Sequence, residues 1–389
     1  MEVITAILVL LGIGLVLGQV FERFKLAAVA GEILGGFVMG PAILNIITPG
    51  RELSSIADVA LFFIVLLIGI EVSTSTILKS YRSALPFSLV SFGVPAACMA
   101  ALLYFVFSAG VAASTLAAIA IGVPSISIVS VLVKNYGLLQ QPSGQLMIST
   151  VVISDLAAFI VLSSFQNHDG FLFKMGAIAI FIVALFIGDL LLNRYSEGVV
   201  RAFSRLHATE HGERIIFGAI ILIGLLAAIF FQEIGFSYVL GAFFAGMIIT
   251  EFVVGKELLG ILTRTLNRMN DGFFIPVYFT VAGLSVVIPG PSYFLVLVAL
   301  LLVTGGLGSY LTRKLSRTLS VGLSPSSTAG FLGSRGAVGV VIASAALSNS
   351  LISYDLYSVV LLGTVILALF FPLFIRVEKG EQQAPEAAE

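Results

Sequence analysis

The stretch 149-STVVISDLAAFIV-161 holds one carboxylate, Asp155, at the middle of an otherwise uncharged apolar segment that runs from Gly144 to Phe165. About 20 apolar residues are what a helix needs to cross a bilayer. A carboxylate near the centre of such a helix costs roughly 2.5 kcal/mol or more on insertion scales, so it marks a functional site by default. Its surroundings must say what that site does.

Working outward, the whole chain has the same character. Its 389 residues are 59% hydrophobic and 11% charged, with a mean hydropathy of +1.12, whereas a soluble domain keeps about 25% charged residues. This is the composition of an all-α polytopic membrane protein, placed in the cell (inner) membrane with the lipid bilayer as its main partner. The first segment, Val3 to Val20, has no basic n-region and no small-residue cleavage site, and similar segments follow it. It reads as a retained span rather than a signal peptide. The single cysteine, Cys98, lies in an apolar segment and is expected to be a small buried residue; one thiol cannot make a disulfide framework or a thiolate metal site within one chain. His168, His207 and His211 all fall in polar connections, which excludes histidine-based zinc or proton-relay chemistry inside the membrane. A net charge of −1 without a basic stripe gives no nucleic-acid partner.

Spans of this length place thirteen helices at about 3–20, 26–44, 56–72, 84–107, 111–133, 144–165, 171–192, 214–231, 235–250, 271–288, 291–311, 324–349 and 353–375. Of the 20 Lys and Arg residues, with Lys174 and Arg214 in the first turns of their helices counted with the connections before them, 17 fall after odd-numbered helices and two after even-numbered ones. Basic connections stay in the cytoplasm, so the N-terminus is expected outside and the C-terminus inside. The one basic residue in no connection is Arg335, in the middle of the twelfth helix.

An internal repeat follows from residue spacing. Ile33-Leu34-Gly35-Gly36-Phe37-Val38-Met39-Gly40 in the second helix matches Val239-Leu240-Gly241-Ala242-Phe243-Phe244-Ala245-Gly246 in the ninth at Leu, Gly, Phe and Gly. Small residues at this spacing could by themselves be a helix-packing surface. The third and tenth helices, however, add Asp58, Phe62-Phe63-Ile64 and Gly69 against Asp271, Phe273-Phe274-Ile275 and Gly283. A shift of seven helices is odd, so the two halves must cross the membrane in opposite senses, as inverted-topology repeats of secondary transporters do. The same shift pairs Gly122-Val123-Pro124-Ser125 in the fifth helix with Gly333-Ser334-Arg335-Gly336 in the twelfth. Simple kinks would leave both helices continuous. Two broken crossing helices would instead offer unwound carbonyls and half-helix dipole ends to an ion at mid-depth.

Asp155 and Arg335 both lie near the midplane, either as a structural ion pair or in separate roles, with Asp155 in exchange and Arg335 compensating the carbonyl ends at the helix breaks. Glu71, at the inner end of the third helix, is either an ion-path carboxylate or a solvated residue; Glu32 and Asp189 are expected at the membrane interface. Ser125 and Ser127 flank the first break, Ser154 adjoins Asp155, and Thr150 lies about one turn earlier. A hard monovalent cation takes carboxylate, hydroxyl, carbonyl and water oxygens, although a mid-helix hydroxyl more often bonds back to its own helix. The polar stretch 194–213 fits a cytoplasmic linker, and Glu251 to Asn270 is either an interfacial segment or a solvated loop. Residues 378–389 form a short acidic cytoplasmic tail, expected to be disordered.

Taken together, Val29-Ala30-Gly31-Glu32-Ile33-Leu34 through Gly40-Pro41, Ala57-Asp58-Val59 through Gly69-Ile70-Glu71, Gln232 through Gly246 and Asp271 through Pro276 resemble the monovalent cation:proton antiporters, specifically the second cation:proton antiporter family of bacterial and archaeal Na⁺/H⁺ exchangers. The likeness covers nearly the whole chain, as one transporter domain over 1–377. It implies the Na⁺/H⁺ antiporter fold and a homodimer. Helices 1–3 and 8–10 are then mainly the dimerisation side, helices 4–6 and 11–13 the core ion-binding side, and helix 7 the linker, with elevator-type movement of the core. By the resemblance, Asp155 is the family aspartate that binds the cation or the proton. Ser154 stands where electrogenic members carry Asp and many electroneutral ones Asn. Arg335-Gly336 matches the family's Arg-Gly, but Ala337 replaces the Glu that usually follows. Pro124-Ser125 stands where a Thr-Ser or similar pair marks the other broken helix. The nucleotide-binding domain of potassium-efflux relatives is expected to be absent.

The function expected is exchange of Na⁺, or of Li⁺ or K⁺, for H⁺ by competition at Asp155. With an uncharged residue at 154 the exchange is one-for-one and electroneutral, and no cofactor is needed. A sodium-coupled symporter for an organic solute and a gated cation channel remain as alternatives. An enzyme is excluded by the intramembrane inventory, which has no histidine and only one central aspartate.

Overall fold

The computed structural model describes residues 2–24, 26–71, 74–138, 141–166, 212–233, 238–249, 256–319 and 321–375. All secondary structure among them is helical, in the order α1 Val3–Arg23, α2 Ala28–Met39, α3 Arg51–Glu71, α4 Thr74–Ser88, α5 Val94–Phe105, α6 Val111–Gly122, α7 Ile126–Asn135, α8 Pro142–Gln166, α9 Gly212–Glu233, α10 Tyr238–Ile248, α11 Lys256–Met269, α12 Ile275–Leu284, α13 Pro291–Leu300, α14 Gly308–Leu319, α15 Pro325–Gly333, α16 Ala337–Ser348 and α17 Tyr354–Phe370. Short π-helical segments, Leu89–Gly93, Asn270–Phe274 and Leu301–Leu307, join α4 to α5, α11 to α12 and α13 to α14. Eight apolar helical stretches of 20 to 29 residues are long enough to cross a bilayer, and three shorter apolar helices accompany them.

Helices stand at each expected span within the described residues. The seventh, 171–192, lies outside them, as do Asp189, the tail 378–389 and most of the linker 194–213. Several boundaries differ from expectation: the second helix ends at Met39 and the eleventh continues to Leu319. The third and fourth helices start earlier, at Arg51 and Thr74, with basic residues in their first turns or on their exposed face. The stretch 251–270 contains no solvated loop over its described part: α11 runs from Lys256 through the π-helical segment into α12. Its polar residues are carried on one side of an amphipathic helix, while Leu258, Leu262 and Leu266 are buried.

Two compact units form. The first comprises 1–19, 31–75 and 157–286, and in it helices approach through glycine. A side chain on Gly36 would collide with the Thr280 carbonyl, and one on Gly283 with the Ile33 carbonyl. The same mutual exclusion joins Gly69 with Phe243 and Gly246 with Leu66. Without a hydrophobic drive between helices in lipid, such close backbone contact supplies the packing energy. Helix α1 buries a stripe of Ala6, Leu10, Gly14 and Gly18, one residue every fourth position. Its other faces leave Ile4, Leu8 and Val16 exposed, as a lipid-facing helix does.

The second unit comprises 20–30, 76–156 and 287–389. It contains the broken helices and two of the three π-helical segments. Ser324 caps α15 by accepting from Ser327 N at 3.1 Å, and Ser353 caps α17 by accepting from Leu356 N at 3.2 Å. Cys98 is exposed rather than buried. Only one face of α5, through Pro95, Ala96, Met99 and Leu103, packs inward, and Cys98 is on another.

Candidate functional site

The break between α6 and α7 follows from one residue. Pro124 brings no N–H, and it forces the residue before it out of the helical region. Val123 accordingly takes φ −71°, ψ 129°. The break between α15 and α16 has no proline, yet Ser334 takes nearly the same conformation, φ −66°, ψ 125°. The two extended segments meet: Ser125 N donates to Ser334 O at 2.9 Å. Gly336 is required there because a side chain would run into Ser125 Oγ, and Gly339 because one would run into the Ala120 carbonyl. Each unwound segment thus satisfies part of the other's backbone, as a bilayer interior demands.

Asp155 on α8 is 1% exposed, and neither carboxylate oxygen has a hydrogen-bond partner among the described residues. Buried polar groups are nearly always paired, so this pair of free oxygens stands out. Next to it, Ser154 Oγ donates to Thr150 O at 2.9 Å and lies 2.8 Å from Ser88 Oγ. Thr150 Oγ1 donates to Leu146 O at 2.7 Å. Both hydroxyls expected as ion ligands therefore bond back along α8. Ser125 Oγ accepts from Ile128 N at 3.5 Å, at the start of α7. The side chains of Ser127 and Glu71 lie outside the described residues. Glu32, expected at the interface, is buried at 3% exposure in the second turn of α2.

Arg335 is also 1% exposed, but its hydrogen bonds are accounted for differently. It forms no ion pair with Asp155. Nη1 donates to Leu332 O at 2.9 Å, and Nη2 to Ser91 O and Thr304 O, both at 3.4 Å. All three carbonyls occupy places where the helical ladder is interrupted. Leu332 is in the last turn of α15, whose carbonyls lack intrahelical donors and carry the negative end of the helix dipole. Ser91 is in the first π-helical segment, and the residue four positions on, which would normally donate to it, is Pro95. Thr304 is in the Leu301–Leu307 segment, where the i→i−4 pattern also lapses. Sequence reasoning found Arg335 but missed its partners. Proline four residues after Ser91 is the one signal in the chain that could have pointed to a carbonyl without its i+4 donor there.

The arrangement thus holds a cation of its own by carbonyl dipoles and leaves a carboxylate without one. Chemically, Asp155 can take either a proton or a metal cation, and a bound cation would complete its shell from hydroxyl, carbonyl or water oxygens.

A model of the family described as "Sodium/hydrogen exchanger, transmembrane" matches residues 5–377. Among curated proteins, the chain is 27% identical over 286 residues to the "Probable Na(+)/H(+) antiporter 3" of Methanocaldococcus jannaschii, covering 71% of this chain and 70% of that one. It is 24% identical over 307 residues to the "Putative Na(+)/H(+) antiporter YjbQ" of Bacillus subtilis, covering 72% of this chain but 47% of that longer protein. Among solved structures, it shares its fold with the sodium proton antiporter MjNhaP1 from Methanocaldococcus jannaschii at pH 8, with a TM-score of 0.63, 14% identity and 94% of both chains covered. An electron-microscopy structure of the same antiporter gives a TM-score of 0.65 at 17% identity, covering 96% of this chain and 95% of that one.

Proposed function

The chain belongs to the sodium/hydrogen exchanger family, and on that premise we propose that this multi-pass membrane protein exchanges Na⁺, or in its place Li⁺ or K⁺, for H⁺ by competition at Asp155. The observation that carries this reading is the Asp155 carboxylate: enclosed, with no protein donor on either oxygen among the described residues. Burial favours the neutral form of a carboxyl group and a bound cation favours the charged form. One carboxylate can therefore be satisfied by a proton or by a cation, but not by both. Ser154, Ser125, Ser127 and Thr150 are proposed to supply further oxygens in some state of the cycle. Arg335 is proposed to compensate the carbonyl ends at the helix breaks, and Glu71 to line the ion path.

Because Ser154 is neutral and Arg335 is occupied by carbonyls, the exchanging group carries one negative charge. Loading with Na⁺ or with H⁺ leaves the same net charge, which makes the exchange one-for-one and electroneutral.

The proposal includes thirteen helices in two inverted repeats, with the N-terminus outside and the C-terminus inside. Two observations support the inverted repeat. Phe63 and Phe274, counterparts in the repeat, stack face to face at 4.5 Å with planes 5° apart. Val123 and Ser334, also counterparts, share one backbone conformation at the two breaks. Residues that meet or mirror their own counterparts are what a pseudo-twofold axis produces. The first compact unit is proposed as the scaffold and homodimerisation side and the second as the ion-carrying side of an elevator.

The test is proton flux across reconstituted vesicles on adding Na⁺, Li⁺ and K⁺ in turn. Cation-dependent proton movement that is lost in Asp155→Asn, with the protein still folded, is the expected outcome. Retained exchange in that variant moves the site elsewhere, and conductance without proton coupling makes the protein a channel.

A further inference from the structure

The stretch from Pro291 to Leu319, made of α13, a π-helical segment and α14, is 29 residues long. About 20 residues cross a bilayer, so its last two turns stand at headgroup level or beyond. Its exposed side is a single stripe. Val298, Leu302, Gly306, Tyr310 and Lys314 are exposed at every fourth position, and Arg317 follows three residues later. Steps of four drift around an α-helix of 3.6 residues per turn; the wider turn of the Leu301–Leu307 segment takes up that drift. The opposite side of α14 faces protein. Gly308, Thr312 and Ser316 are buried there, with Ser316 Oγ 3.1 Å from Thr328 Oγ1 of α15.

The stripe changes chemistry along its length. Val298 and Leu302 are apolar, and Gly306 leaves open space before Tyr310, since a side chain there would meet nothing within 4 Å. Tyr310, 63% exposed, comes about 28 Å after Pro291 at 1.5 Å per residue, where a hydrocarbon core of about 30 Å ends and tyrosines gather. Lys314 and Arg317 follow, one and two turns on. No acid stands near them in the chain, for no Asp or Glu occurs between Asp271 and Asp355. The third basic residue, Arg313, is turned aside, its guanidinium carbon 5.6 Å from the centre of the Phe374 ring. The other strongly amphipathic helix, α11, differs: Arg264 Nε donates to Gly260 O of its own helix at 3.0 Å, and Glu257 shares that helix with Arg268.

We propose that this face of α14 binds an anionic phospholipid, with the phosphate held by Lys314 and Arg317 and one acyl chain lying over Gly306 along Val298 and Leu302. Both parts of the occupant are then matched. A zwitterionic lipid has the same chains, but its ammonium cancels the phosphate charge, so Lys314 and Arg317 favour the anionic headgroup. A free phosphate would use the two cations and leave the apolar stripe bare. The site is independent of the role of Asp155.

In the experiment, the full-length protein in detergent is titrated with phosphatidylglycerol or with phosphatidylcholine of the same chains, and thermal unfolding is followed, since a lipid that binds the folded state raises the unfolding temperature. The half-maximal concentration of phosphatidylglycerol is expected to be about 25-fold lower than that of phosphatidylcholine, about fivefold for each cation. Arg317→Gln is expected to lose about fivefold of that preference and Lys314→Gln/Arg317→Gln nearly all of it, with unfolding in detergent alone unchanged. Lys314→Arg/Arg317→Lys keeps both charges and is expected to keep the preference, as is Arg264→Gln/Arg268→Gln on α11. An equal response to the two lipids, as a face covered by a second copy would give, overturns the proposal. So does an unchanged preference in the two Gln variants of α14, or an equal loss in the α11 variant, which would make the effect one of overall charge. A shift reproduced by inorganic phosphate alone overturns it as well.

Discussion

Asp155 and Arg335 are enclosed to the same degree, 1% exposed each, yet the protein treats them in opposite ways. Arg335 receives three carbonyls drawn from two π-helical segments and one helix end. Asp155 receives nothing from the described residues. A fixed charge is met by fixed dipoles, which makes Arg335 part of the architecture. A carboxylate left without a donor among the described residues is what the proposed exchange calls for, a partner that comes and goes. Equal burial does not tell the two charges apart; their hydrogen-bond partners do.

The comparison breaks most decisively at Asp155. Asp155→Asn is expected to lower Na⁺-driven proton flux to the background of empty vesicles while leaving thermal unfolding in detergent unchanged or slightly raised, because an uncompensated buried carboxylate is removed. If flux falls only with unfolding, Asp155 is structural after all. Arg335 should behave in reverse. Arg335→Met removes three hydrogen bonds, at about 0.5–1.5 kcal/mol net for each, and thermal unfolding should show the destabilisation directly.

Arg335→Lys sharpens the same point. A single ammonium keeps the charge but cannot reproduce the fork that reaches Leu332 O on one side and Ser91 O and Thr304 O on the other. A stability intermediate between wild type and Arg335→Met is expected; full stability would mean that only charge matters there. Smaller still is Pro95→Ala. It returns an N–H to the helix four residues after Ser91, which offers Ser91 O a donor besides Arg335. A change of about 0.5–1.5 kcal/mol, one net hydrogen bond, is expected in stability, together with lower thermal stability of Arg335→Met being partly relieved in the double variant. Additive effects in that pair would show that Ser91 and Arg335 are not coupled.

Much of the fold was legible residue by residue. The apolar segments, the break at Pro124 and the cost of Asp155 are each properties of one stretch of chain. The break at Ser334 to Gly336 was legible only by analogy with its counterpart, since nothing local forbids a helix there; Gly336 is dictated by Ser125. Sequence also grouped Thr150 and Ser154 as ion ligands, because a hydroxyl near a carboxylate looks the same whichever way its hydrogen points. In the structure that hydrogen goes to the residue's own helix. The three π-helical segments were not anticipated, for an extra residue in a helical turn leaves the apolar pattern almost unaltered.

By itself, then, the sequence determined which segments enter the bilayer, where two of them break and which buried charge needs a partner. Partition between water and lipid and the loss of a backbone donor act on each segment separately, so they can be read from each segment separately. The tertiary structure alone decided who answers whom: Arg335 with Ser91, 244 positions away, and Ser88 with Ser154, 66 positions away. A hydrogen bond depends on which segments meet and in which rotation, and neither can be read from one segment alone.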